Sequence, residues 1–334
     1  MKALIKSKKE LENRIKLEQA IPLKTPLSIF IEPSDKCNFR CKFCPTSDLE
    51  LMKKTQGRNH GNMDFDLYQK IINDLDEFDD NIKLLHIYKE GEPLLNPYFD
   101  KMVEFAKKSQ KINRISTTTN AYLLTPELSL KIIEAGIDRI NISIEGINEE
   151  QYFNIANVKI DFQRLVDQIS FFYRNKNQCE VSIKIVGNHL TDEDKRRFYD
   201  IFGDICDFIF IENIVPIWYN FEYEDINVET NKSVIGEQID YVDICPQIFY
   251  SFAINSDGTV SSCCSDWSRK LIIGDTKIES VKNIWNGSLL KELQISMLKG
   301  NRKNHPICSS CNNPTYNSTD NLDKFALDIL RNIK

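Results

Sequence analysis

Three cysteines, Cys37, Cys41 and Cys44, stand at C-x3-C-x2-C in the stretch "SDKCNFRCKFCPTSD". Structural zinc is closed by four ligands, and a cubane iron–sulfur cluster presents four irons. Three thiols on one loop leave a position of either centre open, and an open metal position binds and orients a small molecule. Spacing alone also admits a zinc loop completed by His60 or by a distant cysteine. A second set, Cys245, Cys263, Cys308 and Cys311, places one thiol on each side of a hairpin and two on a C-x2-C turn. Gly258 lets the hairpin turn where a side chain would obstruct, and four thiolates complete a closed cage. By ligand count that cage suits zinc as well as iron and sulfide. Cys264 is a spare thiol beside a ligand, read either as a hydrogen-atom donor or as an alternative ligand or small buried hydrophobe. Its adjacency to Cys263 leads us to expect a side chain turned into packing. Cys179 and Cys206 lie in strand contexts and read as core.

The 334-residue chain carries ten cysteines, a net charge of −6 and 41% hydrophobic residues. That length suits two globular units at most. Acids and bases are interspersed, so no long basic run suggests nucleic acid or an anionic membrane as partner. The opening "MKALIKSKKELENRIKLEQA" carries Glu10, Glu12 and Glu18 and lacks the apolar centre of a secretory signal. No segment approaches the ~18 apolar residues of a membrane helix. A cytoplasmic location is expected, where disulfides rarely persist. Clustered cysteines there argue for metal or redox chemistry.

The elements that must carry these residues alternate strand and helix from about 27 to 212. "LSIFIE", "KLLHIY", "RISTTTN", "RINISIEG", "EVSIKIVG" and "CDFIFIEN" read as six strands. Between them lie the amphipathic "MDFDLYQKIINDLDEF", a helix with Pro97 in its first turn, one opened by Thr125-Pro126 and closed at Gly136, and helices near 161–174 and 191–202. Six such units imply a parallel sheet covered by helices, an open doubly wound sheet or an incomplete barrel, with ligands beyond the carboxyl ends of the strands. The cysteine loop, "KEGEP", "TTN" and "SIEG" all fall on that rim. Residues 236–334 change character, with "FYSFAINSDGTVSSCC" as a hairpin and a short helix near 288–298. The expected division is an N-terminal helical extension at 1–26, the α/β unit at 27–235 and a cysteine-bearing unit with its tail at 236–334. His86 lies mid-strand and reads as a packed or hydrogen-bonded histidine.

At these residues the sequence resembles the radical S-adenosylmethionine (SAM) enzymes, whose signature Cys37, Cys41 and Cys44 match, with Phe43 as the aromatic before the third cysteine. The resemblance implies a partial (β/α)6 barrel, a [4Fe–4S] cluster and S-adenosylmethionine as the missing fourth ligand. "KEGEPLLNP" is similar to the family's Gly-Glu-Pro segment, so that Gly91, Glu92 and Pro93 are implied to receive the methionine ammonium. Glu90 departs from the common pattern, which has a glycine there. Thr118 and Asn120, then Ser143 and Glu145, match the following rim motifs, and Lys184 is a weaker carboxylate partner. The second cysteine set resembles the first half of a SPASM domain. With Asn317 and no cysteine after Cys311, it looks like the reduced twitch type with one auxiliary [4Fe–4S] cluster, a spacing similar to that of an aminocyclitol-dehydrogenating member.

The implied activity is a radical oxidoreductase that dehydrogenates a small polar, carbohydrate-like substrate such as a sugar, nucleotide-sugar or aminocyclitol, served by a reductant such as flavodoxin or ferredoxin. A maturase or epimerase of a ribosomal peptide is the alternative. About 26 residues precede the barrel, fewer than a fused peptide-recognition domain needs. An alternative of another class is a non-catalytic zinc protein built on both cysteine sets.

Overall fold

The computed structural model describes residues 1–7, 15–58, 60–223, 225–317 and 320–333. Six parallel strands follow the expected order: β2 (Ser28–Ile31), β3 (Leu84–Ile87), β4 (Ile115–Thr119), β5 (Arg139–Ile144), β6 (Glu180–Val186) and β7 (Phe208–Glu212). Ile29, Ile31, Leu85 and Ile87 are fully buried in the main core, which also takes in the inward faces of the covering helices. The helix Phe65–Asp74 illustrates the local logic. Asp64 caps it by accepting from the Asp66 and Leu67 amides, and Tyr68, Ile71 and Ile72 face inward. Thr125 caps Pro126–Glu134, and Gly136 follows that helix with φ +87°, a left-handed position suited to glycine.

The sheet is an open ten-stranded arc, ordered β1-β7-β6-β5-β4-β3-β2-β8-β9-β10. At one edge β1 (Leu4–Ile5) pairs parallel with β7. At the other, β8 (Ser251–Ile254) pairs parallel with β2, from Ser28↔Ser251 to Ile31↔Ile254. β9 (Thr259–Ser261) returns as the expected hairpin, and β10 (Ile272–Asp275) completes the arc. The cysteine-bearing unit is therefore an extension of the barrel sheet.

Several expectations need correction. The described part of 1–26 holds the two-residue strand β1 and a single helical turn, Leu17–Ala20, while residues 8–14 of the expected helical extension lie outside the described residues. Pro97 precedes the N-cap Tyr98 of the helix Phe99–Lys108, so it stands outside the first turn. Among the helices that went unread are Leu49–Lys54 and Glu149–Ala156. Both are short, held by side-chain caps from Asp48 and Asn148, and too brief to show an apolar period.

Candidate active site

The cysteine loop leaves the carboxyl end of β2 and is pinned by its own backbone. Arg40 and Lys42 donate their amides to the carbonyls of Ala156 and Ile155 at the end of the helix Glu149–Ala156. Arg40 Nη1 donates to the carbonyls of Cys37 (2.5 Å) and Phe39 (2.7 Å). Phe39, 1% exposed, anchors the loop against Tyr122 and Tyr152, whereas Phe43 is half-buried. Burial pushes the Cys37 thiol up to about 12 and raises Cys41 and Cys44 as well. Thiols held that far above neutrality ionise when a metal centre takes them. His60, the alternative zinc ligand, is exposed at a left-handed backbone position. Among the described residues no three His, Cys, Asp or Glu side chains converge as ligands of one ion. A single zinc draws all its thiolates to about 2.3 Å from one point, while a cubane is gripped at separate irons.

The second rim segment packs directly on this loop. A Cβ at Gly91 would stand 2.0 Å from the Ser34 carbonyl oxygen, so glycine is required by close backbone approach. The Glu92 amide donates to the Lys36 carbonyl at 2.7 Å. The Glu92 carboxylate accepts from the Leu94 amide (3.0 Å), Thr119 Oγ1 (2.6 Å) and the Asn120 amide (2.8 Å). It therefore caps the turn Pro93–Leu95 and ties the β3 rim to the β4 rim, rather than presenting a free carboxylate. Asn120 extends the tie to Asn38 Oδ1 at 2.8 Å. Further round, Ser143 is half-buried and Glu145 is 5% exposed, with a carboxyl that burial pushes up to about 7. Lys184 is engaged by Glu212 at 2.5 Å. Asn141 Oδ1, within β5, is buried without a hydrogen-bond partner, and the half-buried His189 ring meets the Glu145 backbone. A buried orphan of that kind is what a polar ligand satisfies, and neither residue was signalled by a motif.

Glu90, the departure from the resembled pattern, is part of a buried charge cluster. Glu90 pairs with Arg58 (2.9 Å) and Lys89 (3.0 Å). Arg58 also donates to the carbonyls of Asp35 and Trp267, and Lys89 to Asn255 Oδ1 and the Asp266 carbonyl. Arg269 binds Glu32 (2.6 Å), Asp35 (3.4 Å) and Asp257 (3.2 Å). Burial works to raise Glu90, but Lys89, Arg58 and Arg269 hold it below the ordinary carboxylate range. This cluster fastens the loop of Cys37 to the hairpin unit.

Cys245, Cys263, Cys308 and Cys311 line one pocket with Tyr219, Asp266 and Arg302. Cys245, Ser265, Asn313 and Pro314 also wall a second, larger cavity of about 1890 Å³, part of it open to solvent. Its other wall is the inner face of the barrel. Phe30 stacks on His86 with centroids 4.2 Å apart, His86 Nδ1 meets Ser116 Oγ at 2.8 Å, and the Tyr88 phenol, raised by burial to about 12, meets Thr118. Trp218 and Cys264 face the same space. This corrects the expectation for Cys264, which borders the cavity and donates to the Cys263 sulfur instead of filling core. Consecutive cysteines line different spaces, Cys263 the four-thiol pocket and Cys264 the cavity. Cys179 and Cys206 are buried in the core as expected.

Rim, cage and shared cavity define a cluster-bearing α/β enzyme of the open-barrel type. Residues 31–202 match the Radical SAM superfamily and residues 245–312 the SPASM iron–sulfur cluster-binding domain. The chain belongs to the Radical SAM superfamily, whose members bind a [4Fe–4S] cluster and S-adenosylmethionine, and its SPASM domain is of the kind that binds auxiliary clusters.

A cofactor-modifying protein for the tungsten-containing aldehyde ferredoxin oxidoreductase of Pyrococcus furiosus is 32% identical over 37% of this chain and 32% of its own length. A GTP 3′,8-cyclase of Staphylococcus saprophyticus is 27% identical over 46% and 44%. The chain thus spans less than half the length of these relatives. Among solved structures, BtrN with AdoMet and 2-DOIA is similar at TM-score 0.54 and 18% identity, over 89% of this chain and 96% of that one. SuiB of Streptococcus suis bound to its precursor peptide SuiA has TM-score 0.64 and 14% identity, over 91% and 77%. These likenesses describe the fold.

Proposed function

We propose that this protein is a radical SAM dehydrogenase of a small polar substrate held in the barrel cavity, with Cys37, Cys41 and Cys44 holding the first cluster and Cys245, Cys263, Cys308 and Cys311 the auxiliary one. The observation that carries this reading is the shared wall: Cys245 borders both the four-thiol cage and the cavity. When bound, the cofactors supply a 5′-deoxyadenosyl radical that takes a substrate hydrogen atom and an acceptor for one further electron. The chain's own residues do the remaining work. Gly91 and Glu92 shape the rim so that backbone carbonyls face the amino acid end of the cofactor, with Pro93 and Asn120 fixing that edge. Ser143, Glu145 and Thr118 border the next part of the rim. Phe30, His86 and Trp218 offer aromatic faces to a ring-shaped polar substrate, and its hydroxyls find partners in Tyr88 and Gln247 on the cavity wall. A carrier such as flavodoxin or ferredoxin supplies the first electron.

Epimerisation is the second reading, favoured by Cys264 at the cavity wall, where a thiol hydrogen could be returned to substrate. The experiment is anaerobic reconstitution followed by dithionite reduction with S-adenosylmethionine and a panel of aminocyclitols and sugars. One oxidised product per 5′-deoxyadenosine supports dehydrogenation. Unoxidised product overturns it, as does a protein that binds zinc in place of iron.

A further inference from the structure

Arg302 stands out among the buried cations. It is 5% exposed and lines the four-thiol pocket with Cys245, Cys263, Cys308 and Cys311. Its guanidinium donates to two backbone carbonyls, Nη1 to Val242 (2.8 Å) and Nη2 to Cys311, the latter a cage residue itself. Its Nε has no hydrogen-bond partner. Arg58 and Arg269 also leave Nε unbonded, but both face carboxylates. Among the described residues Arg302 forms no ion pair; Asp266 lines the same pocket but its carboxylate accepts from Tyr219, Ser261 and the Lys270 and Leu271 amides, and the Tyr241 ring lies 5.9 Å from the guanidinium. A buried charge without a counter-charge is costly enough that proteins pair it or neutralise it, and arginine does not shed its proton.

We infer that the partner of Arg302 is the anionic auxiliary cluster, and that Arg302 sets the readiness of that cluster to accept an electron. Four thiolates around an iron–sulfur core carry net negative charge, and net charge and hydrogen bonding are principal determinants of cluster potential. The inference rests on the reading of the cage as the electron-acceptor site. In that reaction the substrate carbon radical loses one electron to the cluster and its hydroxyl proton to solvent or a cavity base, leaving a ketone. A fixed positive charge beside the acceptor favours the electron's arrival and stays after the proton has gone. Arg302 is thus a positioning and charge-setting residue that need not touch substrate.

The test uses no substrate, so it stands apart from the dehydrogenase reading. Arg302→Gln and Arg302→Lys are made in the background of Cys37, Cys41 and Cys44 replaced by Ala, leaving one cluster to observe. Iron and sulfide are counted, and the reduced signal is followed by EPR-monitored redox titration. Arg302→Gln is expected to lower the reduced-to-oxidised ratio about tenfold at fixed potential, which is about 59 mV for one electron, with Arg302→Lys closer to the parent. Loss of iron in the Gln variant alone also supports the inference, because charge is what the two variants do not share. Loss in both, or an unchanged potential in an iron-replete Gln variant, overturns it. A parent that binds no iron at the cage defeats the acceptor reading itself.

Discussion

Arg58 Nη1 lies 2.9 Å from Glu90 Oε2, with side chains 0% and 1% exposed. Glu90 is the residue that departs from the Gly-Glu-Pro pattern the segment resembles, and Arg58 reaches on to the Trp267 carbonyl beyond the hairpin. Removing one partner from a buried pair leaves a charge uncompensated, at a cost of about 3–5 kcal/mol. Glu90→Gly should therefore destabilise the protein by that amount even though it restores a common residue. Denaturant unfolding of the metal-free protein would measure it. A change below about 0.5 kcal/mol would show that the cluster of charges contributes nothing to holding the two units together.

Iron content separates the two cysteine sets. Replacing Cys37, Cys41 and Cys44 with Ala should remove one cubane, about four irons of about eight, because each thiolate holds a separate iron. Replacing Cys245 and Cys308 should remove the other and leave reductive cleavage of S-adenosylmethionine in place. If the triple variant keeps all its iron, the assignment of the first site fails.

The six barrel strands were legible because each is an apolar or β-branched run bounded by turn residues, and both cysteine sets were legible from spacing. The parallel pairing of β8 with β2 was not. Ser28 and Ser251 are neighbours in the sheet but lie far apart along the chain, and nothing local to either marks the register. Glu90 was visible as a departure, yet its meaning depends on Arg58 and Lys89 and, through them, on Trp267 and Asp266. Glu92 was read from its motif as a ligand for an ammonium group. Three hydrogen bonds from the β3 and β4 rims show it first as a brace.

Glu145 gives the metal-free protein a definite pH response. Burial lifts its carboxyl from 4.5 to about 7, so between those values the folded state holds a proton that the unfolded state has lost. Stability from this group is greatest at and below pH 4.5, falls as pH rises towards about 7, and is level above that. The difference is on the order of 3 kcal/mol, at about 1.36 kcal/mol per pKa unit. Glu92, also raised by burial to about 7, adds a slope of the same sign. Glu145→Gln should remove its share, making unfolding midpoints at pH 5 and pH 8 more alike than in the parent. An undiminished difference in that variant would mean that Glu145 ionises normally in the fold.

The fate of the substrate radical turns on Cys264, because oxidation and epimerisation make opposite demands. An oxidase passes one electron to the auxiliary cluster and releases a proton, and needs no thiol donor. An epimerase returns a hydrogen atom to the opposite face of the carbon, and a cavity thiol supplies it. Cys264 borders the cavity, but its thiol hydrogen-bonds Cys263, and that bond together with burial raises it well above the usual thiol range. That hydrogen bond engages the one proton a thiol has to donate. Cys264→Ala should therefore keep turnover and give the same oxidised product, with a shift in cluster potential as its main consequence. Turnover in deuterated water with mass analysis of the product decides the matter. A product two hydrogens lighter, made equally well by the variant, agrees with oxidation. An unoxidised product carrying one deuterium, and absent from the variant, would assign Cys264 the hydrogen-return step and replace dehydrogenation with epimerisation.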